Sequence, residues 1–318
     1  MKSYLIRRIA GWLPVLFFSS IIVFLVVRAL PGDLADILAG SDASQSDVQL
    51  IRQQYGFDQS WPVQYLQWIK HMVKGDFGVS YTYHRENREI IFSRLPNSLL
   101  VALSSLLIAL IGGIPFGLLA GLKPGSWFDN TASFLTSLVL ATPNFWFGLL
   151  AILFASVMLG WLPPGGFVSW EESPAEFIQS LILPALTLAL HPAAVLVRFT
   201  RNAVNDTLHE NFVRAAYAKG LSRRRIISRH ILRNALLPVV TIAGILFGRM
   251  VGGSIVVETV FAWPGIGRLL VQAIINRDYG MVQGILLVLV ALLMVINLIV
   301  DLVYSSIDPR IHLTKRGK

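Results

Sequence analysis

The residues able to do chemistry are few, and several lie where a membrane would make them costly. Arg249 falls within a long apolar run, only about 3 Å of helical rise from its middle. Insertion scales put such a cation at about 2.5–3.5 kcal/mol, so it must face other helices or a wet cavity. Two roles fit it: lining a solute pathway and attracting a carboxylate, or pairing with a carbonyl or an acid on another chain. Glu258 stands at the far end of the same run, where a capping or gating contact suits it better than solute binding. Asp301, near the end of the last apolar run, reads as a structural pair. The six histidines (His71, His84, His191, His209, His230, His312) are scattered, which argues against a metal site. His191 precedes Pro192 and reads as a partner for a carbonyl freed at a helix break. There is no G-x-x-x-x-G-K-[ST] loop to cradle ATP phosphates, no H-E-x-x-H and no G-x-S-x-G. Cysteine is absent, which removes disulfides and thiolate ligands. The pattern predicts a chain without catalytic chemistry, metal or cofactor of its own.

The elements that position these residues are apolar helices. Of 318 residues, 54% are hydrophobic and 14% charged, against about 25% charged in soluble domains. Mean hydropathy is +0.63. Crossing a hydrocarbon core of about 30 Å takes about 20 apolar residues, and six such runs occur, roughly 9–30, 97–121, 132–160, 177–197, 236–257 and 284–306. The first outlasts a signal-peptide core and has no small-x-small cleavage site after it, so it reads as a retained helix. The net charge of +9 is unevenly spread. Basic residues gather at Lys2, Arg7 and Arg8, in segment 198–233 (which also holds Asp206 and Glu210), and at Arg310, Lys315, Arg316 and Lys318. Loop 161–176 instead carries Glu171, Glu172 and Glu176 and no basic residue. Basic loops stay in the cytoplasm, which places both termini and 198–233 inside, in agreement with an even number of spans. The charge therefore reports topology, and nucleic-acid binding is excluded as its reason.

The sequence divides into an N-terminal helix with an external segment (1–95), a five-helix core (96–306) and a cytoplasmic tail (307–318). Spacing predicts a short amphipathic helix near 61–73, an inside turn over 122–130, an outside turn at WLPPGG, and another outside segment over 258–283 built on WPGIG. Pro115, Pro143, Pro184 and Pro192 read as helix interruptions. Gly244, Gly248, Gly252, Gly253 and Ser254 read as packing positions on the fifth span.

Residues 211–238, NFVRAAYAKGLSRRRIISRHILRNALLP, hold seven basic residues and no acidic one. Phe212, Val213, Ala216 and Tyr217 have helical spacing, Gly220 permits a change of direction, and Ser222 suits a second N-cap. Arg225, Arg229 and Arg233 then form a stripe, with Ile227 and Ile231 on the other side and Pro238 opening the next span. Contact with anionic lipid would explain the arginines. The alanine cluster and the helix–Gly–helix pattern go further and predict docking onto a partner protein.

RAAYAKG followed by LRNALLP resembles the EAA-type cytoplasmic loop of ABC importer permeases. Ala215, Ala216, Gly220 and Leu237–Pro238 match, and Arg214 stands where the general pattern has Glu, as is common in peptide and nickel importers. The resemblance extends through YLIRRIA, ALPGD, KGDFGVS, RLPNSL, ATPNFWFG, GGSIVVETVFAWPGIGRLL, INRDYG and NLIVDLVYSSIDPRI. Together these resemble the first of the paired permeases in the dipeptide/oligopeptide/nickel importer family. The resemblance implies an all-α bacterial inner-membrane protein with six spans, of type I, MetI-like architecture. It implies a coupling loop (201–235) whose Arg214, Ala215, Ala216, Lys219, Gly220 and Leu221 dock on ATPase subunits, and a pathway or gate with Arg249 and Glu258. The implied partners are a second permease, two ATPases that bind ATP and Mg, an external solute-binding protein, and membrane lipid. Dipeptides or short oligopeptides are the expected cargo, followed by nickel or a metal chelate, then glutathione. The rival from another class is a self-sufficient secondary transporter, which should show repeated halves and several midplane ionisable groups. Only Arg249 lies so deep, and no repeat is present.

Overall fold

A computed structural model describes residues 8, 10–29, 39, 43–54 and 56–307. Lys2, Arg7, the ALPGD stretch beyond Ala29, His312 and the basic residues of the tail lie outside these. The helices are α1 (Trp12–Ala29), α2 (Gln45–Gln54) and α3 (Trp61–Val73), then a two-residue hairpin of β1 (Val79–Ser80) and β2 (Arg85–Glu86). α4 (Asn87–Gly121), α5 (Trp127–Ala141) and α6 (Asn144–Ala151) follow, α6 continuing as a π-helical segment, Ile152–Met158. Next come α7 (Pro174–Leu208), α8 (Asn211–Ala218), α9 (Arg223–Ile226), a π turn (Ile227–Ile231), α10 (Leu232–Val260), α11 (Ile266–Ile275) and α12 (Tyr279–Ile307). The helix expected near 61–73 is α3.

Four of these helices, α4, α7, α10 and α12, contain stretches long and apolar enough to cross a membrane, and α1 is a shorter apolar helix. The run expected as one span over 132–160 is instead a pair, α5 and α6 with its π extension, bent by 101°. Pro143 causes the bend: a residue before proline is pushed toward extended backbone, and Thr142 has φ −105° and ψ 136°. Pro184 and Pro192, expected to interrupt a span, lie inside an unbroken α7. Pro115 lies inside α4; Pro238 lies inside α10, and the stretch of α10 apolar enough to cross a membrane begins there, as expected. The turn expected over 122–130 ends at Ser126, whose Oγ accepts the Asp129 N–H (3.2 Å) and so starts α5 at Trp127.

The described chain forms two compact units. The first comprises Met1–Pro96 and Arg268–Val295. In it α1 packs on α3, with Phe24 against Tyr65 and Trp68 and a Ser20 Oγ–Tyr65 Oη hydrogen bond of 2.8 Å. The hairpin is tied to the turn before α12. Ser80 Oγ donates to Asp278 Oδ2 (2.5 Å), and Asp278 Oδ1 accepts from Met281 N. The Tyr81 hydroxyl donates to the Asn276 carbonyl. Burial first, and the Asp278 carboxylate second, push the Tyr81 phenol up to about 12, so it remains a donor.

The second unit comprises Asn97–Gly267 and Ile296–Lys318. Its centre is α7, which α4 meets along Gly113, Gly117 and Gly121. A Cβ on Gly117 would lie 2.6 Å from the Val197 carbonyl oxygen, so these backbones touch as small-x-x-x-small spacing allows. Leu188, Val257, Phe261 and Trp263 fill one end of the core; Leu196, Val239 and Leu246 fill its middle. Val204, Val213, Ala216, Ile226, Ile231 and Ala235 fill the other end. The glycines of α10 divide. A Cβ on Gly244 would strike Val300, whereas one on Gly252 would meet nothing.

Candidate functional site

The basic stretch is built as a short helix with a defined stop. α7 ends at Leu208, and α8 runs from Asn211 to Ala218. Its end is a Schellman arrangement: Leu221 N–H donates to the Ala216 carbonyl (3.3 Å) and Gly220 N–H to the Tyr217 carbonyl (2.9 Å). Gly220 has φ +74°, in the left-handed region where a side chain is disfavoured. Leu221 joins Val213 and Ala216 at the apolar cluster, supplying the contact that accompanies this stop.

This geometry splits the six predicted coupling residues. Ala216 is buried, Leu221 packs against the same cluster, and Gly220 forms the cap. Arg214, Ala215 and Lys219 are exposed, with Phe212 and Tyr217 also presented to the outside. Ala215 therefore sits on the outward face, flanked by Phe212 at i−3 and Lys219 at i+4. Ser222 occupies the N-cap position of α9, with φ −64° and ψ 144°, and its side chain makes no capping bond. Arg225, Arg229 and Arg233 are all exposed, while Ile226 and Ile231 are fully buried five residues apart. That spacing follows from the π turn. Ile227, expected opposite the arginine stripe, is half-buried.

One ion pair braces this end of the second unit. Arg201 on α7 donates through Nε to Asp129 Oδ1, and through Nη2 to Asp129 Oδ2 (2.8 Å). The same carboxylate accepts the Gly125 N–H (2.9 Å), so Asp129 holds the 122–126 turn, α5 and α7 together. Sequence reasoning missed this pair. It also missed the Gly113–Gly117–Gly121 stripe, although the latter's four-residue spacing was there to be read.

At the opposite end of α10, Glu258 is fully buried. Its Oε1 accepts from Ser254 Oγ (2.9 Å) and its Oε2 from Gly267 N–H (2.8 Å). A Cβ on Gly265 would lie 2.3 Å from Oε2, so the WPGIG turn closes directly over the carboxylate. The turn is held further by Ile266 N–H to Ser98 Oγ (2.7 Å), Trp263 Nε1 to the Asn97 carbonyl (3.1 Å) and Asn97 Nδ2 to the Pro264 carbonyl (3.0 Å). Glu258 thus caps this turn from within the core. Arg249 is exposed on α10, on a stripe with Ile245, Gly252 and Val256, and has no acidic partner among the described residues. Asp301 is half-buried on α12. His191 makes no side-chain hydrogen bond, and the helix break it was expected to serve does not occur.

Residues 113–313 match the family described as the binding-protein-dependent transport system inner membrane component, and residues 1–102 match the N-terminal part of such components. The chain belongs to this family. It is a multi-pass inner-membrane transport subunit without catalytic chemistry, working with a partner permease, an ATPase and a binding protein as the family does in general. It is 41% identical over 315 residues to the oligopeptide transport system permease protein AppB of Bacillus subtilis (strain 168), covering 98% of this chain and 100% of that one. It is 42% identical over 312 residues to the glutathione transport system permease protein GsiC of Escherichia coli (strain K12), covering 98% and 99%. Among solved structures, an inward-facing methionine ABC transporter, MetNI, superposes with a TM-score of 0.57 at 21% identity, over 69% of this chain and 96% of that one. That likeness establishes the permease fold, in agreement with the MetI-like architecture expected from the sequence.

Proposed function

We propose that this chain is the membrane subunit of an ATP-driven importer of dipeptides or short oligopeptides, forming half of the translocation pathway beside a second, similar permease. The observation that carries the reading is α8: a capped helix whose inward face is packed in its own subunit and whose outward face, Phe212, Arg214, Ala215 and Lys219, is exposed. A small residue flanked by long ones lets such a helix lie deep in a groove. Two ATPase subunits, which bind ATP and Mg, supply that groove, and closure of their dimer moves α8 and the α7 and α10 helices attached to it. An external binding protein delivers cargo. The peptide assignment draws on relatives named for oligopeptide, peptide and glutathione transport. Counting α1 and the bent α5–α6 pair as one span each gives six, with both termini in the cytoplasm. Arg249, on an exposed stripe of small and apolar residues, lines the pathway and attracts the carboxylate end of a peptide.

Uptake of labelled di- and tripeptides by cells with and without this chain tests the reading. ATP-dependent uptake should vanish without the chain and return with it. Unchanged peptide uptake, with loss of nickel or metal-chelate uptake instead, would replace the cargo.

A further inference from the structure

The first unit encloses a cavity of about 680 Å³ between the end of α1, α3, the hairpin and the start of α12. That volume falls within the range of sites that bury a small molecule. Half of its polar lining residues are carboxamides: Gln53, Gln59, Gln64, Gln67, Gln283 and Asn87. Phe24, Phe57 and Trp68 supply flat apolar wall.

Two of the lining carboxamides use only their N–H groups, and Trp68 leaves its single donor unpaired. Gln64 Nε2 donates to the Phe57 and Gln59 carbonyls (3.1 and 2.7 Å), while its buried Oε1 has no partner. Asn87 Nδ2 donates to the Phe77 carbonyl (2.8 Å), while its buried Oδ1 has none. Trp68 Nε1–H is likewise buried and unpaired. Buried polar groups are normally satisfied, so orphans gathered on one cavity need an explanation. The complement they lack is two donors and one acceptor.

The charged groups on the lining are already engaged. Asp278 accepts from Ser80 and Met281 N–H, Asp76 accepts from Gly78 N–H and pairs with His71, and Arg28 lies against the rings of Phe24 and Phe57. Recognition therefore falls to neutral amides and rings, which suits a backbone-like ligand better than a metal ion or a polyanion.

We infer that this cavity is a binding site for the free amino end of a short peptide, distinct from the pathway of the second unit. The peptide ammonium donates to Gln64 Oε1 and Asn87 Oδ1, its first carbonyl accepts from Trp68 Nε1, and its side chain rests on the aromatic wall. The inference rests on the importer reading, in which the segment 31–95 is external and meets peptide at release from the binding protein.

The test is equilibrium dialysis of radiolabelled trialanine against the complex purified from its native membrane, without the external binding protein. Saturable binding of one peptide per chain is expected. Trp68→Phe keeps the ring and removes the donor; Gln67→Trp changes an exposed residue and places a ring across the cavity. Each should weaken binding at least tenfold, and acetylating the peptide's amino end should do the same. No saturable binding up to millimolar peptide, as expected if only water occupies the cavity, would overturn the inference. So would equal affinity in wild type and both variants. ATP-dependent uptake by the wild-type system, measured in parallel, reports separately on the importer reading.

Discussion

Arg201 and Asp129, 72 residues apart in sequence, meet in a two-bond ion pair, with the carboxylate almost wholly buried and the guanidinium about one-third exposed. Because Asp129 also takes the Gly125 N–H, the pair fixes the turn before α5 to α7 one helical stretch ahead of α8. Arg201→Gln leaves a buried carboxylate with only part of its hydrogen bonding, which costs about 2–4 kcal/mol. Arg201→Lys retains charge but loses the planar fork and should fall between the two. Thermal unfolding of the purified protein should rank wild type above Lys above Gln; equal midpoints would reduce the pair to an incidental contact.

The outward and inward faces of α8 separate docking from folding. Ala215→Arg changes an exposed residue, so membrane abundance should hold while peptide uptake is lost. Ala216→Arg drives a charge into the Val204–Val213–Ile226 cluster, so abundance itself should fall. Immunoblotting of membranes beside uptake distinguishes them, and the assignment of faces fails if the two variants exchange behaviours.

Much of the frame was legible because its causes are local. The α3 boundaries follow from apolar spacing, and the stop at Gly220 follows from a glycine after a helical repeat. Proline was less informative. Pro143 is exposed and bends the chain, whereas Pro184 and Pro192 are buried in an unbroken α7, held by neighbours no local reading contains. Spacing likewise gave α8 two faces without saying which of Ala215 and Ala216 points inward, since that depends on the cluster behind it. The Arg201–Asp129 pair had no local sign at all.

Gly220→Ala places a side chain at φ +74°, a cost of about 1–2 kcal/mol, and should slow uptake. Gly220→Pro also deletes the N–H that caps Tyr217 and cannot adopt this φ, so uptake should disappear. Normal uptake by the proline variant at equal abundance would remove the cap from the coupling route.

Glu258 and the WPGIG turn should behave as one unit. Glu258→Ala strands the Gly267 N–H, at about 1–3 kcal/mol, while the Ser254 hydroxyl keeps the Val251 carbonyl (3.0 Å). Gly265→Ala pushes a methyl group into the carboxylate and should destabilise comparably. The double variant should cost less than the sum of the two, because each disrupts the same contact. Additive losses in thermal stability would show two independent sites.

Arg249→Ala should slow uptake of peptides with a free carboxyl end more than of the same peptides amidated. A ratio unchanged from wild type would assign Arg249 to helix contact with the second permease.

The natural absence of cysteine makes the most direct measurement available. Single cysteines at Ala215 and at Ala216, treated in native membranes with a short thiol–amine crosslinker, report what each position touches. A crosslink from Ala215→Cys to an ATPase subunit is expected, with little or none from Ala216→Cys. Equal crosslinking from both positions, or no ATPase adduct from Ala215→Cys in membranes that still import peptide, would contradict it.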